Sequence, residues 1–285
     1  MRATRSEILS YISQQIKHLY DERERMQIAR MVAAALSHEE QTKYLIERNE
    51  VVDIPSLESK VEELTKGRPV QYVIGHCEFC GIEIQVQEGV LIPRPETEEL
   101  VGWAVEKASD FDQPRILDIC TGSGCIALAL ANRLKHAKVT AIDISDEALS
   151  IARHNEERLQ LGIEFVKDDA LAHLPQMEGR EFDIVVSNPP YIPASERKTM
   201  HINVVEFEPE IALFVDDNDP LIFYREIARR AKELLSENGY LLFEVHQSLA
   251  CETAEMLTHE GYSHIEIRHD CFDKPRMICS QPNRK

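Results

Sequence analysis

Apolar positions follow two different rhythms along the chain. Over the first 66 residues they recur at helical spacing: Ile8, Ile12, Ile16 and Leu19 form one stripe, and Met26, Ala29, Val32, Ala33 and Leu36 a second. Ser37 followed by Glu40 predicts the start of a third helix carrying Tyr44 and Leu45. Pro55-Ser56 precedes a fourth with Leu57, Val61 and Leu64. Short helices with short connections predict a small bundle. Gly67-Arg68-Pro69 ends that rhythm, and residues 70–92 alternate as strands do, which predicts a hairpin-like connector. The prolines of Leu91-Ile92-Pro93-Arg94-Pro95-Glu96-Thr97-Glu98 stop it, and Thr97 begins a helix through Ala104.

From Arg115 the rhythm becomes short apolar runs alternating with helical stretches. The expected strands are Arg115–Ile119, Lys138–Ile142, Ile163–Val166, Phe182–Val186, Tyr240–Val245, His264–Arg268 and Arg276–Cys279. Helices fit between them at Cys125–Leu134, Asp146–Leu159 and Pro220–Leu235, the last capped by Asp219-Pro220. This is the pattern of an α/β fold, a doubly wound and mainly parallel sheet whose terminal pair is antiparallel.

With 285 residues, 43% hydrophobic and 29% charged, there is room for one large soluble domain and a smaller one. No apolar run reaches membrane-spanning length and the first residues are not those of a signal peptide, so the expected compartment is the cytoplasm. Seven scattered cysteines argue against a disulfide framework. Cys77 and Cys80 invite a metal reading, but on a strand residues three apart face opposite sides and no second pair follows; no metal is expected. The net charge is −18, roughly −2 over residues 1–80 and roughly −16 beyond them, which disfavours direct nucleic-acid binding.

Two stretches carry chemistry. The first expected strand runs into Asp118-Ile119-Cys120-Thr121-Gly122-Ser123-Gly124, a glycine loop at the sheet's carboxyl edge that lets backbone approach a ligand. Asp143 ends the next strand about 20 residues on, where an acid accepts ribose hydroxyls. The loop lacks the order of a dinucleotide fingerprint. Asp118 instead suits a ligand's ammonium group, as in S-adenosylmethionine. Asp168-Asp169 is placed for the exocyclic amine of adenine. Asp118 and Asp143 could instead cap the following turns, a reading that their joint occurrence with the glycine loop weakens, and Asp168-Asp169 could form a solvated acidic turn. The other stretch, Ser187-Asn188-Pro189-Pro190-Tyr191-Ile192, directly follows an apolar strand. Two prolines hold its backbone stiffly extended, carrying one amide and one aromatic ring, a platform for a planar nitrogen nucleophile. Asn188 and the Pro189 carbonyl are expected to accept its N–H groups, with Tyr191 packed on it and Pro190 stiffening the turn. Residues 193–218 are expected to wall the substrate groove, with their acids solvated or facing a basic partner.

Together, in this order, these pieces resemble class I S-adenosylmethionine-dependent methyltransferases, and most closely the HemK/PrmC family, which methylates a glutamine amide of peptide chain release factors. Gln71-Tyr72-Val73-Ile74-Gly75, the Ile92–Glu98 stretch and Asn188-Pro189-Pro190-Tyr191 carry the resemblance, which covers nearly the whole chain. It implies a helical substrate-recognition domain (1–68), a β-hairpin connector (69–95) and a seven-stranded methyltransferase domain (96–285). It also implies donor-binding residues Asp118, Cys120, Thr121, Gly122, Ser123, Gly124, Asp143, Asp169, Ala170 and Asn188. The product would be S-adenosylhomocysteine, the partners release factors, and the enzyme a monomer. Two departures stand out: Cys120 replaces the family's first loop glycine, tolerable at negative φ, and Ala170 stands where many members carry an aromatic. Amino methylation of adenine or of another amide, and donor binding without turnover, remain the alternatives.

Overall fold

The two rhythms fold into two compact units, Met1–His76 with His201–Phe207, and Cys77–Met200 with Glu208–Lys285. The computed structural model describes residues 1–172 and 174–284. In the first unit, β1 (Arg2–Thr4) precedes helices α1 (Arg5–Gln15), α2 (Glu22–Ser37) and α3 (Lys43–Ile46). β2 (Val51–Asp53) returns antiparallel onto β1, and α4 (Leu57–Thr65) and α5 (Val70–Ile74) follow. Thr4 and Glu7 form a reciprocal capping box that starts α1. The expected stripes make the core, with Ile8, Ile12, Ile16, Ala29, Val32 and Ala33 all fully buried. In the segment Ile202–Phe207 that completes this unit, Asn203 donates to the Tyr20 hydroxyl at 2.9 Å.

Three local expectations are corrected here. Ser37 does not open a helix; it ends α2, its hydroxyl donating to the Ala34 carbonyl at 3.2 Å. The third helix is the single turn α3, held by Tyr44, which is buried and donates to the Ala33 carbonyl at 3.1 Å. Residues 70–74 are helical, because Gly75 at φ 88° supplies the left-handed C-cap that releases the chain into a strand.

In the second unit, β3 (His76–Phe79) and β4 (Ile82–Gln85) form a two-stranded sheet turned by Cys80 and Gly81, both at positive φ as a type I′ hairpin requires. Burial pushes the Cys77 thiol up to about 12 and the Cys80 thiol to about 11. α6 (Pro95–Ala108) then leads into β5 (Arg115–Ile119), α7 (Cys125–Arg133), β6 (Lys138–Asp143), α8 (Asp146–Leu159), β7 (Glu164–Lys167) and β8 (Phe182–Ser187). Beyond the platform come β9 (Ile192–Pro193), α10 (Glu210–Leu213) and β10 (Phe214–Val215), while the intervening α9 (Ile202–Phe207) belongs to the first unit. The chain closes through α11 (Ile222–Leu234), β11 (Leu235–Glu244), α12 (Ala250–His259), β12 (Tyr262–His269) and β13 (Pro275–Pro282). Asp219 does not cap α11; the helix starts at Ile222 and the Asp219 carboxylate is drawn instead into an ion pair with Arg225.

The seven strands lie in the order β12-β13-β11-β8-β5-β6-β7. Neighbours from β11 to β7 are parallel, and β13 is antiparallel to both β11 and β12. Parallel strands covered on both faces run mostly apolar, and every residue of β8 is buried. From β5 the chain steps outward to β6 and β7, then crosses back to set β8 on the other side of β5. The carboxyl ends of β5, β6 and β8 therefore flank the topological switch point, where open α/β sheets leave a crevice for ligands.

Candidate active site

A cavity of ≈ 240 Å³ lies at this edge. Its floor is the loop after β5, where Thr121 N donates to the Ile142 carbonyl and Gly124 N to Thr121. Cys120, Gly122 and Gly124 adopt φ of 62°, 55° and 81°, an alternation that turns the chain sharply from strand to helix. Gly124 must also be small, since a Cβ there would sit 3.1 Å from that of Ala152. Cys120 and Gly122 reach the cavity wall, whereas Thr121, Ser123 and Gly124 lie behind it. The negative φ that would make cysteine tolerable at position 120 is not observed. The turn needs the left-handed conformation at that position whichever residue occupies it, and a residue with a Cβ pays about 1–2 kcal/mol for it.

The charged residues in the wall are Asp143, Asp168 and Asp169; no Lys, Arg or His among the described residues lines it. Asp143 accepts from Gly122 N and Ser145 N, both at 2.9 Å, so it braces the glycine loop while its carboxylate borders the cavity. Burial raises its pKa, opposed by those amides. Asp168 is buried and takes the amides of Asp169 and Gln176, and Asp169 takes that of Leu171. The turn-capping and cavity-facing readings of these acids thus coexist. Ala170 is in the wall, with exposed Leu171 and Ile144 beside it. Asp118 is placed differently from expectation. It is fully buried beneath the loop and outside the cavity wall, with Oδ2 accepting from Thr121 Oγ1 at 2.5 Å and Oδ1 unpaired. Desolvation pushes its pKa up to about 7 against the Thr121 hydroxyl and the Ala127 amide.

Asn188 and Pro190 form the opposite wall, while Pro189 and Tyr191 stand outside it. The Asn188 Nδ2 donates to Thr97 Oγ1 at 3.3 Å, and Thr97 donates to Glu244 Oε2 at 2.6 Å. Tyr191 donates to Glu244 Oε1 at 3.0 Å, its ring beside that of His246. Burial raises the Glu244 pKa, opposed first by the Thr97 and Tyr191 donors and then by the charge of Arg276. Pro209, Ile211 and Ala212 complete the wall from the long segment after β9. The expectation that this segment's acids are solvated fails at Glu208. Its buried carboxylate accepts from Ile92 N at 3.1 Å and from Arg94 at 2.5 Å, strapping the segment to the proline-rich stretch before α6. No group of three His, Cys, Asp or Glu suited to a metal occurs among the described residues.

A family model for a methyltransferase domain matches residues 116–206. The release factor glutamine methyltransferase of Flavobacterium psychrophilum is 45% identical over 226 residues, covering 78% of each chain. That of Bacteroides thetaiotaomicron is 46% identical over 222 residues, covering 78% of this chain and 79% of the relative. The chain belongs to the release factor glutamine methyltransferase family. A solved methyltransferase from Pyrococcus furiosus, 18% identical, superposes with a TM-score of 0.51 over 70% of this chain and 88% of its own, a likeness of fold alone.

Within this family member, sequence reasoning missed Thr97, Glu244 and Glu208. Glu244 had a readable signal, a carboxylate closing the apolar run Leu241-Leu242-Phe243. The sequence shows Thr97 only as a helix start and Glu208 only as a solvated or partner-facing acid, because the contacts that define them span 147 and 116 positions.

Two outcomes follow for the loop. Cys120→Gly and Cys120→Ala both remove the thiol, but only glycine relieves the left-handed backbone. The glycine variant is therefore expected to be about 1 kcal/mol the more stable of the two by denaturant unfolding; equal midpoints would refute the strain. For Asp118, the folded carboxyl near 7 lies above its unfolded value of about 3.9. The folded ligand-free protein then binds the extra proton across that window, so stability falls as pH rises from about 4 to about 7. Asp118→Asn should lack this loss, its stability advantage over the unsubstituted protein growing between about pH 4 and about pH 7 and levelling off above that. A constant difference would show an ordinary carboxylate.

Proposed function

We propose that this chain transfers a methyl group from S-adenosylmethionine to the side-chain amide nitrogen (N5) of the glutamine in the Gly-Gly-Gln motif of peptide chain release factors, using Asn188-Pro189-Pro190-Tyr191 as its platform. The observation that carries the reading is the placement of Asn188 in the wall of a cavity whose charged groups are all carboxylates. A dinucleotide's pyrophosphate wants positive ends and amides. A sulfonium donor with a ribose diol is a cation, and three aspartates suit it. In this reading Asp143 accepts the ribose hydroxyls, and Asp169 with Ala170, Ile144 and Leu171 borders the adenine. Cys120 and Gly122 give close backbone approach, with Thr121, Ser123 and Gly124 shaping the loop from behind. Asp118 acts through Thr121 from beneath the loop. Bound there, the donor supplies an electrophilic methyl and leaves as S-adenosylhomocysteine.

A carboxamide nitrogen is a weak nucleophile because its lone pair is shared with the carbonyl. The protein's contribution is placement. Asn188 Oδ1 and the Pro189 carbonyl each accept one N–H of the substrate amide, localising density on nitrogen and aiming it along the cavity. Positive charge growing on that nitrogen strengthens both bonds, so they favour the transition state over the bound substrate. Alignment of the reactants contributes up to about 7–11 kcal/mol in ideal cases. An N-protonated amide is a strong acid and gives its proton to water, so no buried general base is needed.

The helical unit is assigned to recognition of the release factor; Leu45, Ile46 and Val51 are exposed apolar residues on it. No helix among the described residues is long and apolar enough to cross a membrane, and a substrate of the translation machinery implies work in the cytoplasm.

Incubation with labelled S-adenosylmethionine and unmodified release factor, or DNA, should label the factor alone, with the methyl on its Gly-Gly-Gln peptide by mass spectrometry. Label in DNA and none in the factor would overturn the substrate. Asn188→Ala should lower turnover at least a hundredfold while calorimetry still detects donor binding; near-normal turnover would remove the amide clamp.

A further inference from the structure

We propose that Thr97 and Glu244 act as a positioning relay that fixes which end of the Asn188 side-chain amide faces the substrate. The inference rests on reading Asn188 as the amide clamp and explains how the clamp acquires its polarity. An asparagine side chain is nearly symmetric in shape, yet only its oxygen can accept a substrate N–H; its NH₂ would meet the substrate NH₂ donor to donor.

The hydrogen-bond chain removes this ambiguity. Thr97 has one hydroxyl proton, and an ionised Glu244, which has none to give, draws it to Oε2 at 2.6 Å. With that proton committed, Thr97 Oγ1 offers Asn188 only lone pairs. Asn188 must then present Nδ2, which lies 3.3 Å away, and this leaves Oδ1 as the end available to the cavity. A flipped amide would set Oδ1 against an oxygen with no proton to give. Thr97 and Glu244 are both almost wholly buried, so water does not substitute for either partner. Glu244 Oε1 simultaneously receives the Tyr191 hydroxyl at 3.0 Å, so one carboxylate holds the tetrapeptide directly at Tyr191 and through Thr97 at Asn188. Its place follows from the sheet: Phe243 of β11 pairs with Ser187 of β8, which puts the next residues, Glu244 and Asn188, at the same strand edge. Thr97, in the first turn of α6, bridges them.

Thr97 and Glu244 are positioning residues, touching neither donor nor substrate in this arrangement, and their effect should fall on kcat. Thr97→Val keeps the shape and deletes the hydroxyl; Thr97→Ser keeps the hydroxyl. The expected result is at least a tenfold loss of kcat toward release factor in Thr97→Val, with the donor dissociation constant by calorimetry within about twofold, and recovery to within about threefold in Thr97→Ser. Should Thr97→Val fail to fold, Glu244→Gln serves instead. It preserves volume but allows an NH₂ to face Thr97, and it should lower kcat at least threefold at unchanged donor affinity. Unchanged kcat in the variant that folds would overturn the relay, as would loss of donor affinity in step with turnover or failure of Thr97→Ser to recover it. Asn188→Ala in the same assay separates the two ideas. Turnover retained there refutes the clamp itself, whereas turnover lost there but kept in Thr97→Val refutes only the relay.

Discussion

The site depends on how firmly the end of β8 is held. Ser187, the last residue of that strand, is fully buried and donates to the Ile119 carbonyl of β5 at 2.6 Å. On the other side β11 pairs in parallel with β8 and ends in the buried Glu244. Beyond this clamp two prolines remove backbone donors and limit φ, so the platform is stiff without being packed on every face. Stiffness matters because the proposed chemistry has no acid or base to supply. A platform free to move by an ångström would lose most of the advantage that alignment confers.

The second constraint is electrostatic. Three carboxylates gathered around one small cavity repel each other, and burial disfavours the charge of Asp143 further. The backbone amides of Gly122, Ser145, Asp169, Leu171 and Gln176 offset part of that cost by donating to them. The glycine loop is thus shaped by the acids as much as by its glycines. In the proposed reading a cationic donor completes the arrangement.

The sheet was largely legible because buried parallel strands announce themselves as apolar runs, and the place of Asn188 and Pro190 at the end of β8 because prolines stop such a run. What escaped was set by tertiary contact or by brevity. β1 and β2, three residues each, are too short to show a period. Residues 70–74 alternate like a strand but are wound into one helical turn by the left-handed Gly75. The positive φ of Cys120 is dictated by the turn and contradicts the preference of the residue that fills it. Asp118 looked like a ligand group because it precedes the loop, yet the fold places it underneath. The Thr97–Glu244 contact joins α6 to β11, a pairing that no local pattern encodes.

The central claim is geometric: the Asn188 oxygen and the Pro189 carbonyl receive the two N–H groups of a glutamine amide. A crystal structure with S-adenosylhomocysteine and a Gly-Gly-Gln peptide tests it most directly. The glutamine nitrogen should lie within about 3.2 Å of both oxygens and face the sulfur. A glutamine amide bound elsewhere, or Asn188 turned with Nδ2 toward it, would contradict the claim.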